Sequence, residues 1–274
     1  MSLPILRVVR LGGLDILKQL HIEEVLLRRC SSNYLILNSG MREEDTAVVL
    51  GLSGKIAELV NVDHFLRKPI HLIRRYTGGG TVVVDKSTLF ATFIMNSKDA
   101  AVAPYPRDIM AWSEGVYKPV FDGMTKPGSF SLRENDYVLG DRKVGGNAQT
   151  ITKNRWVHHT SFLWSFDPAK MKYLQLPKKR PDYRADRDHG AFLTKLEQHV
   201  GSVERFEAAL CTHLEKLYQV LPASRDEIEA EVGNFLGPFS IESVARTRLE
   251  SIEEFLKKQA ELGLVKQGPS CINI

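Results

Sequence analysis

The chain has 274 residues, 43% of them hydrophobic and 26% charged, with a net charge of +4, which suits a globular fold of one large domain or two small ones. That charge is too small and dispersed to indicate a nucleic-acid surface, and the apolar runs are too short to span a membrane. Three separated cysteines (Cys30, Cys211 and Cys271), with no CxxC or Cys/His cluster, indicate neither a disulfide framework nor a zinc site and fit a reducing compartment.

Residues 5–10 read as a first strand, and residues 14–29, free of Gly and Pro, as a helix apolar on more than one face and hence well buried. Strands are expected at 34–37 and 47–50, a short helix at 55–60, and strands at 70–73, 81–84 and 89–95. Residues 96–107 read as a loop, 109–121 as a helix and 123–135 as a second loop. Residues 138–139 and 143–162 suggest a hairpin, with Gly145-Gly146 near its bend and 156–164 as its long strand. The proline-rich stretch 167–190 reads as a surface connection. Helices are expected at 191–200, 203–220, 225–233 and 240–262, broken at Pro222 and at Gly237-Pro238. The fold class expected is α+β, in one domain over 1–264 with a helical part at about 191–262 and a loose tail over 265–274.

Two stretches carry the chemistry. In Arg74-Arg75-Tyr76-Thr77-Gly78-Gly79-Gly80-Thr81-Val82-Val83-Val84-Asp85, a basic pair leads through three glycines into a β-branched run. Glycines let the backbone lie against a ligand, exposed amides in such a turn form an anion-binding concavity, and arginines add charge. A tight structural turn is the competing reading. In Gly140-Asp141-Arg142-Lys143-Val144-Gly145-Gly146-Asn147-Ala148-Gln149, a lysine flanked by glycines suits a phosphate or carboxylate contact. Taken alone, that stretch also fits a hairpin turn.

Together, in order and spacing, the two resemble the Arg-Arg-x-Ser/Thr-Gly-Gly-Gly and Gly-x-Arg-Lys-x-x-Gly-x-Ala motifs of the lipoate–protein ligase A family. The likeness extends to Ile22–Leu27, Glu58–Asn61, the pair His158-His159, Tyr183-Arg184 and Phe192-Leu193, and covers roughly residues 5–200. It implies a mixed, largely antiparallel sheet packed with helices, related to biotin ligases and more distantly to class II aminoacyl-tRNA synthetases. It further implies a two-step reaction. Lipoate or octanoate and MgATP give an acyl-AMP. The acyl group then passes to a lysine of a lipoyl domain, on a 2-oxoacid dehydrogenase E2 subunit or glycine-cleavage H protein.

The reaction must bring two anions together, which needs positive charge and oriented amides. By resemblance Lys143 is the catalytic lysine, contacting both the carboxylate and the α-phosphate. Gly78, Gly79 and Gly80 are expected to form the floor of the site, with Thr81, Val82, Val83, Val84 and Asp85 along the nucleotide. Arg75 and Thr77 are expected at the acyl or phosphate end. Arg74 either joins them on the nucleotide or forms a structural ion pair. Asn147 either orients phosphate or shapes a turn. His158 and His159 read as core or edge histidines rather than acid–base catalysts, with His159 an acyl-binding candidate. Mg2+ is expected to arrive with ATP, without a protein ligand cluster.

The chain departs from the family at Val84, where many members have His, at Thr88, often Asn, and at Leu52-Ser53-Gly54, in place of a stretch with Arg and Gln. These changes bear on the nucleotide contact and on acyl-donor preference. The accessory domain of longer bacterial ligases has no counterpart here, so either both steps proceed without it or a separate subunit supplies it. An acyltransferase acting on a pre-formed acyl donor is the alternative. One working through a cysteine thioester needs a thiol near the lysine motif, and no cysteine lies between residues 31 and 210. A protein that only binds lipoate or lipoyl domains is a third reading, and a P-loop protein is excluded by the lack of GxxxxGK[ST]. A cytoplasmic location is expected. The arginines and lack of acids in residues 1–14 keep the mitochondrial matrix as the alternative.

Overall fold

The computed structural model describes residues 2–175 and 181–262; the expected tail and Cys271 lie outside them. Twelve strands are formed by the described residues: β1 (Ile5–Arg10), β2 (Tyr34–Asn38), β3 (Ala47–Leu50), β4 (His71–Arg74), β5 (Val82–Val84), β6 (Thr88–Asn96), β7 (Phe130–Arg133), β8 (Asp136–Leu139), β9 (Arg142–Ile151), β10 (Arg155–Leu163), β11 (Gln219–Ala223) and β12 (Arg248–Leu249). The longer helices are α1 (Ile16–Arg29), α2 (Pro106–Asp122), α3 (Val203–Leu214), α4 (Arg225–Leu236) and α5 (Ile252–Glu261). An eight-stranded sheet runs β11-β1-β2-β6-β10-β9-β8-β7, and a four-stranded sheet runs β12-β4-β3-β5. In the large sheet only β11–β1 and β1–β2 pair in parallel; its other pairings are antiparallel. The expected class, α+β around a largely antiparallel sheet, is the one observed.

The alternation of strand residues divides the core. Leu6, Val8, Leu35, Leu37 and Phe93 face α2 and α3, where Tyr117, Phe121 and Phe206 meet them. Val9, Ile36, Phe90 and Ile94 face the other way, onto α1 and onto Val49, Ile73 and Val84 of the small sheet. Helix α1 thus lies among packed elements on several sides, which explains its broad apolar surface. Asp15 caps it by accepting the Lys18 N–H, and Arg28 and Arg29 sit in its last turn, where the helix dipole favours cations.

Several expectations are corrected. Gly145 and Gly146 do not form a bend but lie inside β9, whose hairpin with β10 turns at residues 152–154. Gly145 is needed for packing, because a Cβ there would stand 3.0 Å from the Phe162 ring. The expected loop at 123–135 contains β7, and short helices form at Val62–Arg67 and Ser97–Ala100. The region expected to be helical after 191 contains two strands. Pro222 does not break a helix but sits in β11, an edge strand of the large sheet, where a residue without an N–H is tolerated. The expected helix 240–262 is split by β12. Strands β4 and β5, which flank the glycine turn, are not paired to each other; β3 lies between them.

Candidate active site

A cavity of about 730 Å³ opens between the two sheets. Ile16 and Leu20 of α1, Val49 of β3 and Phe90 of β6 line an apolar part, and the glycine turn, Lys143, Asn147 and His159 are among the polar groups, with the carboxylates of Glu134 and Asp136 also in the lining. Residues of the long connection, Met171, Leu174, Pro181 and Arg184, also border it. The stretch expected to be a mere surface connection therefore forms one wall.

The glycine turn is held on β9 by the Gly78 N–H, which donates to the Gln149 carbonyl at 3.0 Å. Gly79 has φ +113°, and a Cβ there would meet Arg75 Nη2 at 2.8 Å and the Asn147 carbonyl at 3.0 Å, so only glycine fits. Gly80 faces open space. Thr81, Val82, Val83 and Val84 line the cavity, and the buried Thr81 hydroxyl has no hydrogen-bond partner.

The residues flanking the turn play other parts than expected. Arg75 borders the cavity, but its buried guanidinium donates to the carbonyls of Val49, Gly78 and Gly80 at 3.3, 3.2 and 2.7 Å. Burial pushes its pKa down to about 10. Its Nη1 and Nη2 hold the turn's shape, while its buried Nε has no hydrogen-bond partner. Arg74 points away from the cavity lining: Nε lies 2.6 Å from Glu250 Oε1 and Nη1 2.6 Å from the Gly54 carbonyl, so the structural ion pair is the observed role. Thr77 is fully buried behind the turn and does not reach the lining. Asp85 is outside the lining too, its carboxylate taken by Lys170 Nζ at 2.8 Å and by the Ser87 hydroxyl at 2.6 Å. Burial alone would raise its pKa, but these bonds outweigh it and hold the carboxyl below its usual range.

Lys143 projects into the cavity from β9, with Nζ 2.7 Å from Asp136 Oδ1. The other oxygen of Asp136 accepts the Tyr183 hydroxyl at 2.8 Å. Burial, followed by the Asp136 charge, raises the Tyr183 pKa well above the ordinary phenol value, so the group stays a donor. Asp136 was not singled out from the sequence. The signal available was the turn Gly140-Asp141, φ +64° at Gly140, which folds β9 back on β8 and sets Val138 opposite Lys143. Asn147 lines the cavity with its side chain already engaged: Oδ1 accepts the Thr160 hydroxyl at 2.9 Å and Nδ2 donates to the Asn135 carbonyl at 3.1 Å.

The two histidines face opposite ways, as strand neighbours must. His159 reaches the cavity wall, and its Nδ1 lies 3.0 Å from Glu23 Oε2 and 2.9 Å from the Thr92 hydroxyl. His158 is a core histidine. Gln149 Nε2 donates to its Nδ1 at 3.0 Å, its Nε2 lies 2.9 Å from the Tyr137 oxygen, and Tyr137 donates on to Ser113 at 2.6 Å. Burial, with a smaller contribution from His159, pushes its pKa down to about 3, so it is neutral.

Neither Cys30 nor Cys211 lines the cavity. Cys30 contacts Tyr34 and Glu231, and Cys211 contacts Arg10. Among the described residues there is no group of His, Cys, Asp and Glu that could hold a metal ion, and no helix long and apolar enough to cross a membrane.

The glycine turn of the small sheet and Lys143 of the large sheet thus border one cavity with an apolar part. The family model "Lipoyl protein ligase A/B catalytic domain" matches residues 15–215, and the chain belongs to that family. Among curated relatives, it is 29% identical over 247 residues to "Inactive lipoate--protein ligase 2" of Plasmodium falciparum, covering 72% of this chain and 64% of the relative. The chain spans between 38% and 65% of the length of the first curated relatives it matches. Its fold is that of an archaeal bipartite lipoate protein ligase from Thermoplasma acidophilum, described with its E2 lipoyl domain, at TM-score 0.65, 18% identity and 98% and 100% coverage. A lipoate-protein ligase A bound with ATP is similar at TM-score 0.64 and 19% identity, over 86% of this chain and 94% of that one.

Proposed function

We propose that residues 1–264 act as one catalytic unit of an ATP-dependent lipoate–protein ligase. It would activate lipoate or octanoate as the acyl-AMP and transfer the acyl group to a lysine of a lipoyl domain, on a 2-oxoacid dehydrogenase E2 subunit or glycine-cleavage H protein. The observation that carries this reading is that Lys143 and the Gly78–Gly80 turn line one cavity together with an apolar recess. An acyl chain fits the recess by burial of its methylenes, each contributing about 0.8 kcal/mol. Its carboxylate then needs a cation that can serve the α-phosphate in turn, and Lys143 is the cavity lysine with that reach. Gly80 offers backbone free of side-chain obstruction, and the Thr81 hydroxyl, buried without a partner, is available to a polar group of the nucleotide. Mg2+ would enter on the phosphates, since the described side chains form no cluster for it. Arg75 serves this site by shaping the turn rather than by direct contact, His159 by closing the acyl recess, and Asn147 through its backbone position.

The alternative, transfer from a pre-formed acyl donor without ATP activation, is favoured by one observation. Asp85, at the end of the expected nucleotide strip, is committed to Lys170 and Ser87. A donor thioester on this protein is not supported, because no described thiol borders the cavity. Lipoate-dependent exchange of pyrophosphate into ATP, lost in Lys143→Ala, would support the ligase. Transfer from synthetic lipoyl-AMP to apo-H protein without exchange would support the transferase, and failure of both would sink the enzyme reading. Repeating the assay with candidate accessory subunits added tests whether a separate subunit completes the reaction. Fractionation of the source cells decides between the cytoplasm and the mitochondrial matrix.

A further inference from the structure

The match to the family's catalytic domain ends at residue 215, yet a segment beyond it grips the back of the glycine turn. Strand β12 pairs with β4, the strand that delivers the chain into the turn, with Arg248 opposite Arg74. Just before β12, the buried Thr247 hydroxyl accepts the N–H of Tyr76 at 3.2 Å. Just after it, Glu250 takes the Arg74 guanidinium at 2.6 Å, in a pair whose side chains are only 13% and 18% exposed. The segment is itself anchored, since the Glu24 carboxylate of α1 accepts the N–H groups of Arg246 and Thr247 at 2.9 and 3.1 Å.

The contact continues to the loop that packs beside the turn. Arg74 Nη1, held by Glu250 through the same guanidinium, donates to the Gly54 carbonyl at 2.6 Å. That fixes the loop 51–54, whose Leu52 N–H donates to the Thr77 carbonyl at 2.9 Å. Gly51 in this loop lies so close to Gly79 that a Cβ on it would collide with the Gly79 carbonyl. Three successive glycines have no side chains to hold them in place, and glycine has more conformational freedom to lose than any other residue. A turn that must present amides to a ligand therefore needs its position imposed from outside.

We propose that residues 246–250 are a built-in brace that positions the glycine turn for the acyl donor, with Thr247 and Glu250 as its positioning residues. The identity of the donor rests on the function proposed above; the brace itself does not. The segment holds the turn from the side away from the cavity.

Amide hydrogen exchange on the full chain tests this with Thr247→Val and Glu250→Gln. The readout is the hydrogen-bonded amides of Leu52, Arg75 and Gly78, with those of β6 and β10 as the reference. The brace predicts exchange at least about tenfold faster at the first set with the second unchanged. Thr247→Val is nearly isosteric and deletes one hydrogen bond, so it keeps the test open should Glu250→Gln fold poorly. In the pyrophosphate-exchange assay both variants are expected to raise KM for lipoate about three- to tenfold, with kcat within about twofold. Unchanged exchange at Leu52, Arg75 and Gly78, or equal acceleration throughout the core, overturns the brace. Absence of turnover in the wild-type protein would count against the functional reading, and the amide data would still decide the brace.

Discussion

The Lys143 ammonium and the Asp136 carboxylate are 2.7 Å apart, on adjacent antiparallel strands, and Tyr183 donates to the same carboxylate from the connecting segment. The lysine proposed to meet the substrate is thus held by one carboxylate, and that carboxylate also ties down part of the cavity wall. Asp136→Asn keeps the shape and removes the charge. On the proposed function it should lower kcat/KM about 10- to 100-fold by releasing Lys143 from its position. Tyr183→Phe should act mainly on KM, because it loosens the wall and leaves the lysine paired. Steady-state kinetics of the two variants, side by side, check this.

Two neighbouring glycines should respond differently to one methyl group. Gly79→Ala places a Cβ against Arg75 and the Asn147 carbonyl at φ +113°, and it should cost about 1–3 kcal/mol of stability. Gly80→Ala meets nothing within 4 Å and should stay within about 0.5 kcal/mol of wild type. Urea unfolding of both variants gives the comparison; equal losses would show that the turn is not constrained as described.

Asp85 should make stability depend on pH in the acid range. Its folded pKa is below the unfolded value, with the Lys170 and Ser87 bonds outweighing burial. The stabilisation is therefore present above the unfolded pKa of about 3.9 and is lost as pH falls through the folded value. Asp85→Asn should be less stable than wild type at pH 6, and the difference should shrink below about pH 4. Chemical denaturation at a series of pH values measures it.

His158 predicts a slope at higher pH. Its folded pKa of about 3 lies below an unfolded value of about 6.5, so between those values the unfolded chain binds the extra proton. Stability should fall as pH is lowered through that window, by up to about 1.4 kcal/mol per pH unit. His158→Gln, which cannot take up that proton, should flatten the slope, although it costs stability at pH 7 through the broken chain to Tyr137. An unchanged slope would mean that another group dominates.

Local pattern carried much of the assignment. Residue order alone marks the glycine turn and the lysine motif, because three successive glycines after a basic pair and a lysine flanked by glycines are contiguous in the chain. The alternation of apolar residues likewise marks β1, β2, β3 and β6, and the uninterrupted apolar character of residues 14–29 marks the buried α1. Strands such as β11 and β12 were not legible. They are short and largely exposed, and they exist because β1 and β4 offer them edges distant in sequence.

What the sequence by itself determined was the family, the mixed sheet and the lysine proposed for catalysis, since each is written in contiguous residues. Tertiary structure alone decided how the glycine motif is divided. Arg74 turns to Glu250, Arg75 braces the turn through its Nη groups while bordering the cavity, Thr77 is buried behind it, and Asp85 belongs to Lys170, leaving Arg75 and Gly78–Val84 beside the cavity. The reason is physical: an arginine or a carboxylate in a motif is satisfied by whichever partner the fold brings within hydrogen-bonding distance. For Arg74 that partner lies 176 residues along the chain.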